Sequence, residues 1–114
     1  MPVIRIETNV TVDPSAKPAF LADLSRLGAS LFHKPETYVM AALDDGRAMV
    51  FGGGDGPTAY VEAKSIGLTT SDAAEISKIL TAFLGERLGV GADRVYIEMS
   101  APEGRLWGWN GKTF

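Results

Sequence analysis

A chain of 114 residues with a formal net charge of −3 has the length of one domain built on one hydrophobic core, residues 1–114. It contains no cysteine, which excludes disulfides, thiolate metal sites and thiol redox chemistry. It also lacks a Lys/Arg cluster, so no nucleic-acid partner is expected.

The chain starts Met1-Pro2 and runs into the alternating segment Val3-Ile4-Arg5-Ile6-Glu7-Thr8, which reads as a strand. Two readings of Pro2 stand side by side. Proline cannot donate to a sheet ladder, so it suits the first residue of a strand. If Met1 is removed, its nitrogen becomes a free secondary amine on a rigid ring. No apolar run is long enough to span a bilayer, so no membrane partner is expected. The start lacks the charged and apolar regions of a secretory signal, and the cytoplasm is the default location.

A helix opens around Pro18, with Phe20, Leu24, Leu27 and Leu31 at helical spacing. Lys34-Pro35 ends it, because the residue before proline is pushed out of the helical region. Residues 38–43 read as a second strand, Asp44-Asp45-Gly46 as a turn, and residues 48–51 as a short returning strand. Residues 52–57 are glycine-rich but lack the Lys-Ser/Thr of a phosphate-binding loop, and read as a turn.

Residues 58–66 alternate, with small residues Ala59, Val61, Ala63 and Ser65 on one face and Tyr60, Glu62, Lys64 and Ile66 on the other. Thr69-Thr70-Ser71-Asp72 offers several N-caps, and Asp72 with Glu75 has capping-box spacing. Ile76, Ile79, Leu80, Phe83, Leu84 and Leu88 form the stripe of a second helix, stopped near residues 89–91. Residues 93–99 are a further strand, with Val95, Ile97 and Met99 facing inward and Tyr96 and Glu98 outward.

This is strand–helix–strand twice, which predicts an α/β two-layer sandwich with parallel strands in each unit and both helices on one sheet face. The other face, mixed and aromatic, suits a subunit interface. The tail adds Trp107, Trp109 and Phe114, enough aromatic surface to dock against something. His33 stands alone beside Lys34, and Glu36, Glu98 and Glu103 form no paired-carboxylate or metal arrangement. No metal or other cofactor is expected.

Met1-Pro2, Lys34-Pro35 with Tyr38, Phe51-Gly52-Gly53, Ser65-Ile66-Gly67, Glu86-Arg87-Leu88, Asp93-Arg94-Val95-Tyr96-Ile97, Gly108-Trp109-Asn110 and Thr113-Phe114 follow one another along the chain. In that order and spacing the chain resembles the macrophage migration inhibitory factor family of the tautomerase superfamily. The resemblance implies a homotrimer with active sites where subunits meet. It implies tautomerisation of phenylpyruvate-like, small aromatic or enolic α-keto acids, and dopachrome-type isomerisation. Pro2 would be the catalytic base, Lys34 and the Ile66 N–H would hold the substrate carboxylate, and Ser65, Tyr96 and Glu98 would be further substrate-binding residues. Tyr96 would arrive from the neighbouring subunit, with Glu98 beside it, and Val3, Tyr38, Lys64, Trp107, Trp109 and Phe114 would line the pocket.

The chemistry fits those residue types. Enolisation needs a base that is proton-free near neutral pH and a competent acid afterwards. An ordinary α-amino group titrates at about 7.7–8.0; burial and a neighbouring ammonium lower that. Lys34 as a plain charge at a helix C-terminus is the competing reading.

The chain departs from the family pattern at several points. Glu98 stands where vertebrate-type relatives carry Asn, and a carboxylate there opposes an acidic substrate. Trp107 replaces a small aliphatic residue and narrows the pocket mouth. Lys64 replaces His and adds positive charge. The Cys-x-x-Cys of some relatives reads Thr58-Ala59-Tyr60-Val61 here. Two readings without a dominant enzymatic role compete: a cytokine-like signalling or mimicry protein, with a protein receptor as partner and unconventional secretion, and a small-molecule sensor.

Overall fold

The computed structural model describes residues 1–114. The alternation at the start becomes strand β1 (Val3–Thr8), whose Ile4, Ile6 and Thr8 are buried while Val3, Arg5 and Glu7 stay partly exposed. Buried Thr8 is satisfied by donating its hydroxyl to the Thr58 carbonyl at 2.7 Å. Helix α1 (Lys17–Phe32) carries a proline in its first turn and buries Phe20, Leu24, Gly28 and Phe32, one residue per turn.

Gly28 has a reason to be glycine. A Cβ there would stand 2.8 Å from Ile4 Cδ1 and 3.2 Å from Val39 Cγ1, so the missing side chain lets the helix lie close on β1. The helix closes on His33, in the left-handed region at φ 55°, and the Lys34 N–H donates to the Ala29 carbonyl at 3.1 Å.

The next strand, β2 (Met40–Asp44), starts later than the apolar pattern predicts because Glu36–Tyr38 form a 3-10 turn. The strand predicted at 48–51 does not form. Phe51 only bridges to Gly54, and residues 47–50 have no ladder partner. Residues 52–57 are a turn, as expected, with Gly52 and Gly53 at positive φ.

Strand β3 (Ala59–Lys64) buries its small residues Ala59, Val61 and Ala63 and ends two residues short of the expected Ile66. Helix α2 (Thr70–Leu88) buries Ile76, Leu80, Leu84 and Leu88. Its N-cap is Thr69, the first of the four caps the sequence offers, so the Asp72/Glu75 box does not form; the Asp72 carboxylate instead accepts from the Thr69 hydroxyl at 2.7 Å. Strand β4 (Val95–Ser100) follows.

The sheet order is β2-β1-β3-β4, parallel within each strand–helix–strand unit and antiparallel where β1 meets β3. One core cluster takes buried residues from α1, α2, β1 and β3, with Val95, Ile97 and Met99 of β4 packed on it. Both helices therefore cover one face, as predicted, and the molecule is the expected two-layer α/β sandwich. Neither helix is long and apolar enough to cross a membrane.

The opposite face is bare. Its rungs read Val3↔Lys64↔Ser100, Arg5↔Glu62↔Glu98 and Glu7↔Tyr60↔Tyr96. The tail forms a small hairpin, β5 (Gly108–Trp109) with β6 (Lys112–Thr113). Asn110 and Gly111 turn it with φ 54° and 75°, the geometry an Asn-Gly hairpin turn requires.

Candidate active site

Pro2 is fully buried at the head of β1, and its carbonyl accepts from the Met40 N–H at 3.0 Å. With Met1 attached, the Pro2 nitrogen is an amide and cannot act as a base. Three chain segments converge on this terminus. The tail hairpin folds back so that the Phe114 N–H donates to the Trp107 carbonyl at 3.2 Å. Phe114 stacks on Trp109 with ring centres 5.7 Å apart, and the Trp109 ring meets Tyr38 edge-on at 5.5 Å. The result is a hollow of about 220 Å³ walled by Met1, Val3, Tyr38, Trp107, Trp109 and Phe114.

A second hollow, about 230 Å³, brings the end of α1 to the loop after β3; Lys34, Ser65, Ile66 and Gly67 line it, with Asp72 at the start of α2. Ser65 is buried, its N–H donating to the Ser100 carbonyl at 3.1 Å, and the Leu68 N–H donates to the Ser65 carbonyl at 3.2 Å. The Ile66 N–H takes no part in these loop bonds. It is a spare donor in the hollow that Lys34 also lines, and an N–H with a cation suits a carboxylate.

Electrostatics joins the two hollows. The α-amine at Met1 sits below its ordinary value of 8.0, first because it is partly buried and second because the Lys34 charge opposes its protonation. An amine at this end of the chain is thus biased toward its proton-free form. Aromatic walls, a depressed amine and a cation with a spare N–H can hold a small aromatic carboxylate and move a proton on it.

One protomer therefore sets Val3, Tyr38, Trp107, Trp109 and Phe114 around one hollow and Lys34, Ser65 and Ile66 around another, with Pro2 buried between Met1 and Val3 and the Lys34 charge acting on the terminal amine, and it places Tyr96 and Glu98 in neither hollow. Tyr96 is 66% exposed on the outer strand β4, its ring 4.7 Å from Phe51. It borders a different hollow of about 360 Å³ with Met49 and Val50. Glu98 lies one rung nearer Pro2, across from Glu62. Lys64 lies on the bare face next to Val3.

Sequence reasoning missed Met1 and Met40 as walls of the aromatic hollow. It also missed the Asn110-Gly111 turn that aims the tail, although that dipeptide was a readable signal.

The family model described as macrophage migration inhibitory factor matches residues 1–114. A macrophage migration inhibitory factor homolog from Brugia malayi is 36% identical over 119 residues, covering 100% of this chain and 99% of the relative. Macrophage migration inhibitory factor from Mus musculus is 33% identical over 115 residues, with 100% and 99% covered. Among solved structures, the macrophage migration inhibitory factor homologue from Prochlorococcus marinus superposes with a TM-score of 0.92 at 43% identity, over 98% of each chain. The macrophage migration inhibitory factor from Trichinella spiralis gives 0.89 at 31%, over 98% of this chain and 99% of the other. With sequence and fold in agreement over the whole length, the chain belongs to the macrophage migration inhibitory factor family.

Proposed function

We propose that the protein, once Met1 is removed, is a tautomerase of phenylpyruvate-like α-keto acids, with dopachrome-type isomerisation as related chemistry, acting in the cytoplasm as a homotrimer of single-domain protomers. The observation that carries the reading is geometric: Pro2 is buried at the head of β1 between Met1 and Val3, which both wall the aromatic hollow, and the Lys34 charge acts on the amine at this end of the chain.

In this reading the substrate carboxylate rests on Lys34 and the Ile66 N–H, and the ring enters between Tyr38, Trp107 and Trp109. The Pro2 nitrogen lone pair takes a proton from the carbon beside the keto group. The C–H electrons become the enol double bond, the keto oxygen takes a proton from a solvent water at the mouth of the hollow, and the prolinium proton passes to the hydroxide so formed, which frees the amine for the next turnover. In the reverse direction the prolinium returns its proton to carbon. Aromatic walls exclude water and strengthen both charge effects. Tyr96 and Glu98 belong to the site of the adjoining subunit.

The test is a phenylpyruvate and hydroxyphenylpyruvate assay on Met1-processed protein beside Pro2→Gly. Glycine keeps a primary amine but loses the rigid secondary one. A fall in kcat/KM of about 100-fold or more is expected, the scale of a positioned general base. Equal, slow rates in both proteins would remove the enzymatic reading and leave the cytokine-like and small-molecule-sensor ones.

A further inference from the structure

We infer that folding seals the Met1–Pro2 bond, so that an aminopeptidase can remove Met1 only before β1 joins the sheet. Removal is a hydrolysis. Water adds to the Met1 carbonyl carbon and the bond to the Pro2 nitrogen breaks; the water oxygen leaves in the methionine carboxyl group, and one of its protons stays on the nitrogen, now a secondary amine. The cutting enzyme must enclose the terminal residue and reach that carbon, so Met1 and Pro2 have to be free of their own protein.

The fold denies both. Pro2 has less than 2% of its surface exposed, and its carbonyl is held by the Met40 N–H at 3.0 Å. Val3, the next residue, is registered against Met40 on one side and Lys64 on the other. β1 is thus an inner strand, and drawing its head outward breaks two ladders at once. Met1 itself is partly buried in the wall of the aromatic hollow, with Tyr38, Trp107, Trp109 and Phe114. Neighbouring subunits in the proposed homotrimer can only deepen this burial, so the inference holds for the assembly as for one protomer. Every element that covers the bond lies later in the chain. A nascent chain therefore presents a free Met1 during synthesis, on the order of ten seconds for this length. A chain that folds with Met1 in place keeps an amide at Pro2 and its own methionine at the hollow, and the fold preserves that state.

The experiment uses the full chain made with Met1 retained, by blocking methionine aminopeptidase during expression, and exposes it after folding to the purified aminopeptidase. Intact mass reads the loss of one methionine, so the result stands apart from the tautomerase reading and from whether any keto acid turns over. A control carries an extra Met-Pro pair on a flexible Gly/Ser lead ahead of the same chain, which places the same bond outside the fold. Met1 should leave the folded protein at least about 1,000-fold more slowly than the methionine of the lead. Leu80→Ala should speed its loss about 100-fold, in step with the population of opened chains. Gly28→Ala, a milder variant, places a Cβ 2.8 Å from Ile4 Cδ1 on β1 and should speed it about 10-fold. Removal from the folded wild type as fast as from the lead, or slow removal that neither variant speeds, would overturn the inference.

Discussion

The two faces of the sheet are made by the same strands and obey opposite rules. Toward the helices, Ile4, Ile6, Val61 and Ala63 are fully buried and meet Leu24, Ile76, Leu80 and Leu84, with no charge among them. Toward the other side, alternate residues of β1, β3 and β4 present Arg5, Glu62, Glu98, Tyr60 and Tyr96. The period-two geometry of a strand separates these jobs residue by residue. One face stabilises the protomer by excluding water; the other holds charge and aromatic surface. Pro2 sits where the two meet, buried like the first face and adjoining hollows that open on the second.

The largest expected effect tests that division with identical chemistry on both sides. Leu80 is fully buried and Leu106 is 81% exposed. Leu80→Ala should cost about 3 kcal/mol through lost transfer energy and the cavity left behind, roughly 10–20 °C in Tm. Leu106→Ala should cost less than about 0.5 kcal/mol. Thermal and denaturant unfolding of the two variants gives the contrast directly. A comparable loss at Leu106 would mean that another subunit covers this side.

A smaller effect belongs to the turn beside the bare face, which has no apolar core of its own. Arg94 replaces one: its guanidinium donates to the carbonyls of Pro57 at 2.8 Å and of Phe51, Gly54 and Gly56 at 3.1 Å, and lies 5.5 Å from the Phe51 ring centre. Arg94→Ala should cost about 1–2 kcal/mol and speed hydrogen exchange at the Phe51 and Gly54 amides. Lysine should restore only part, since one ammonium cannot span four carbonyls. Unchanged exchange would show that the glycine turn holds itself.

These two regions also mark what the sequence made legible. Phe20, Leu24 and Phe32, or Ile76, Leu80 and Leu84, announce helices because burial repeats with the helical period. Residues 48–51 have strand composition without a partner strand in the chain, and composition alone does not make a ladder. The Asp72/Glu75 spacing failed for a related reason: Thr69 begins the helix earlier and engages Asp72 itself. At the site, Lys34 meets Ser65 and Ile66 only because the left-handed cap at His33 turns the chain and β1 registers Val3 against Lys64. No local pattern contains that meeting. The family resemblance supplied it, along with the placement of Tyr96 and Glu98 away from their own protomer's terminus.

The smallest expected effect is a displacement on the pH axis, read at the boundary between the two faces. The terminal amine is lowered first by burial and second by the Lys34 charge. Lys34→Met removes the second cause and leaves the first, so the amine should titrate higher than in wild type yet still below 8.0. In Met1-processed enzyme the acid limb of kcat/KM should move to higher pH in the variant, while KM rises because the carboxylate loses its anchor. The sign for stability follows from the same shift. The folded chain binds this proton more weakly than the unfolded chain, so the group costs stability as pH falls below its ordinary value and costs nothing well above it. An NMR titration of the terminal amine in the Met1-ended protein, wild type against Lys34→Met, measures the displacement without any substrate. Coincident curves would mean that the ammonium does not reach the terminus, and Lys34 would keep only its place beside Ile66.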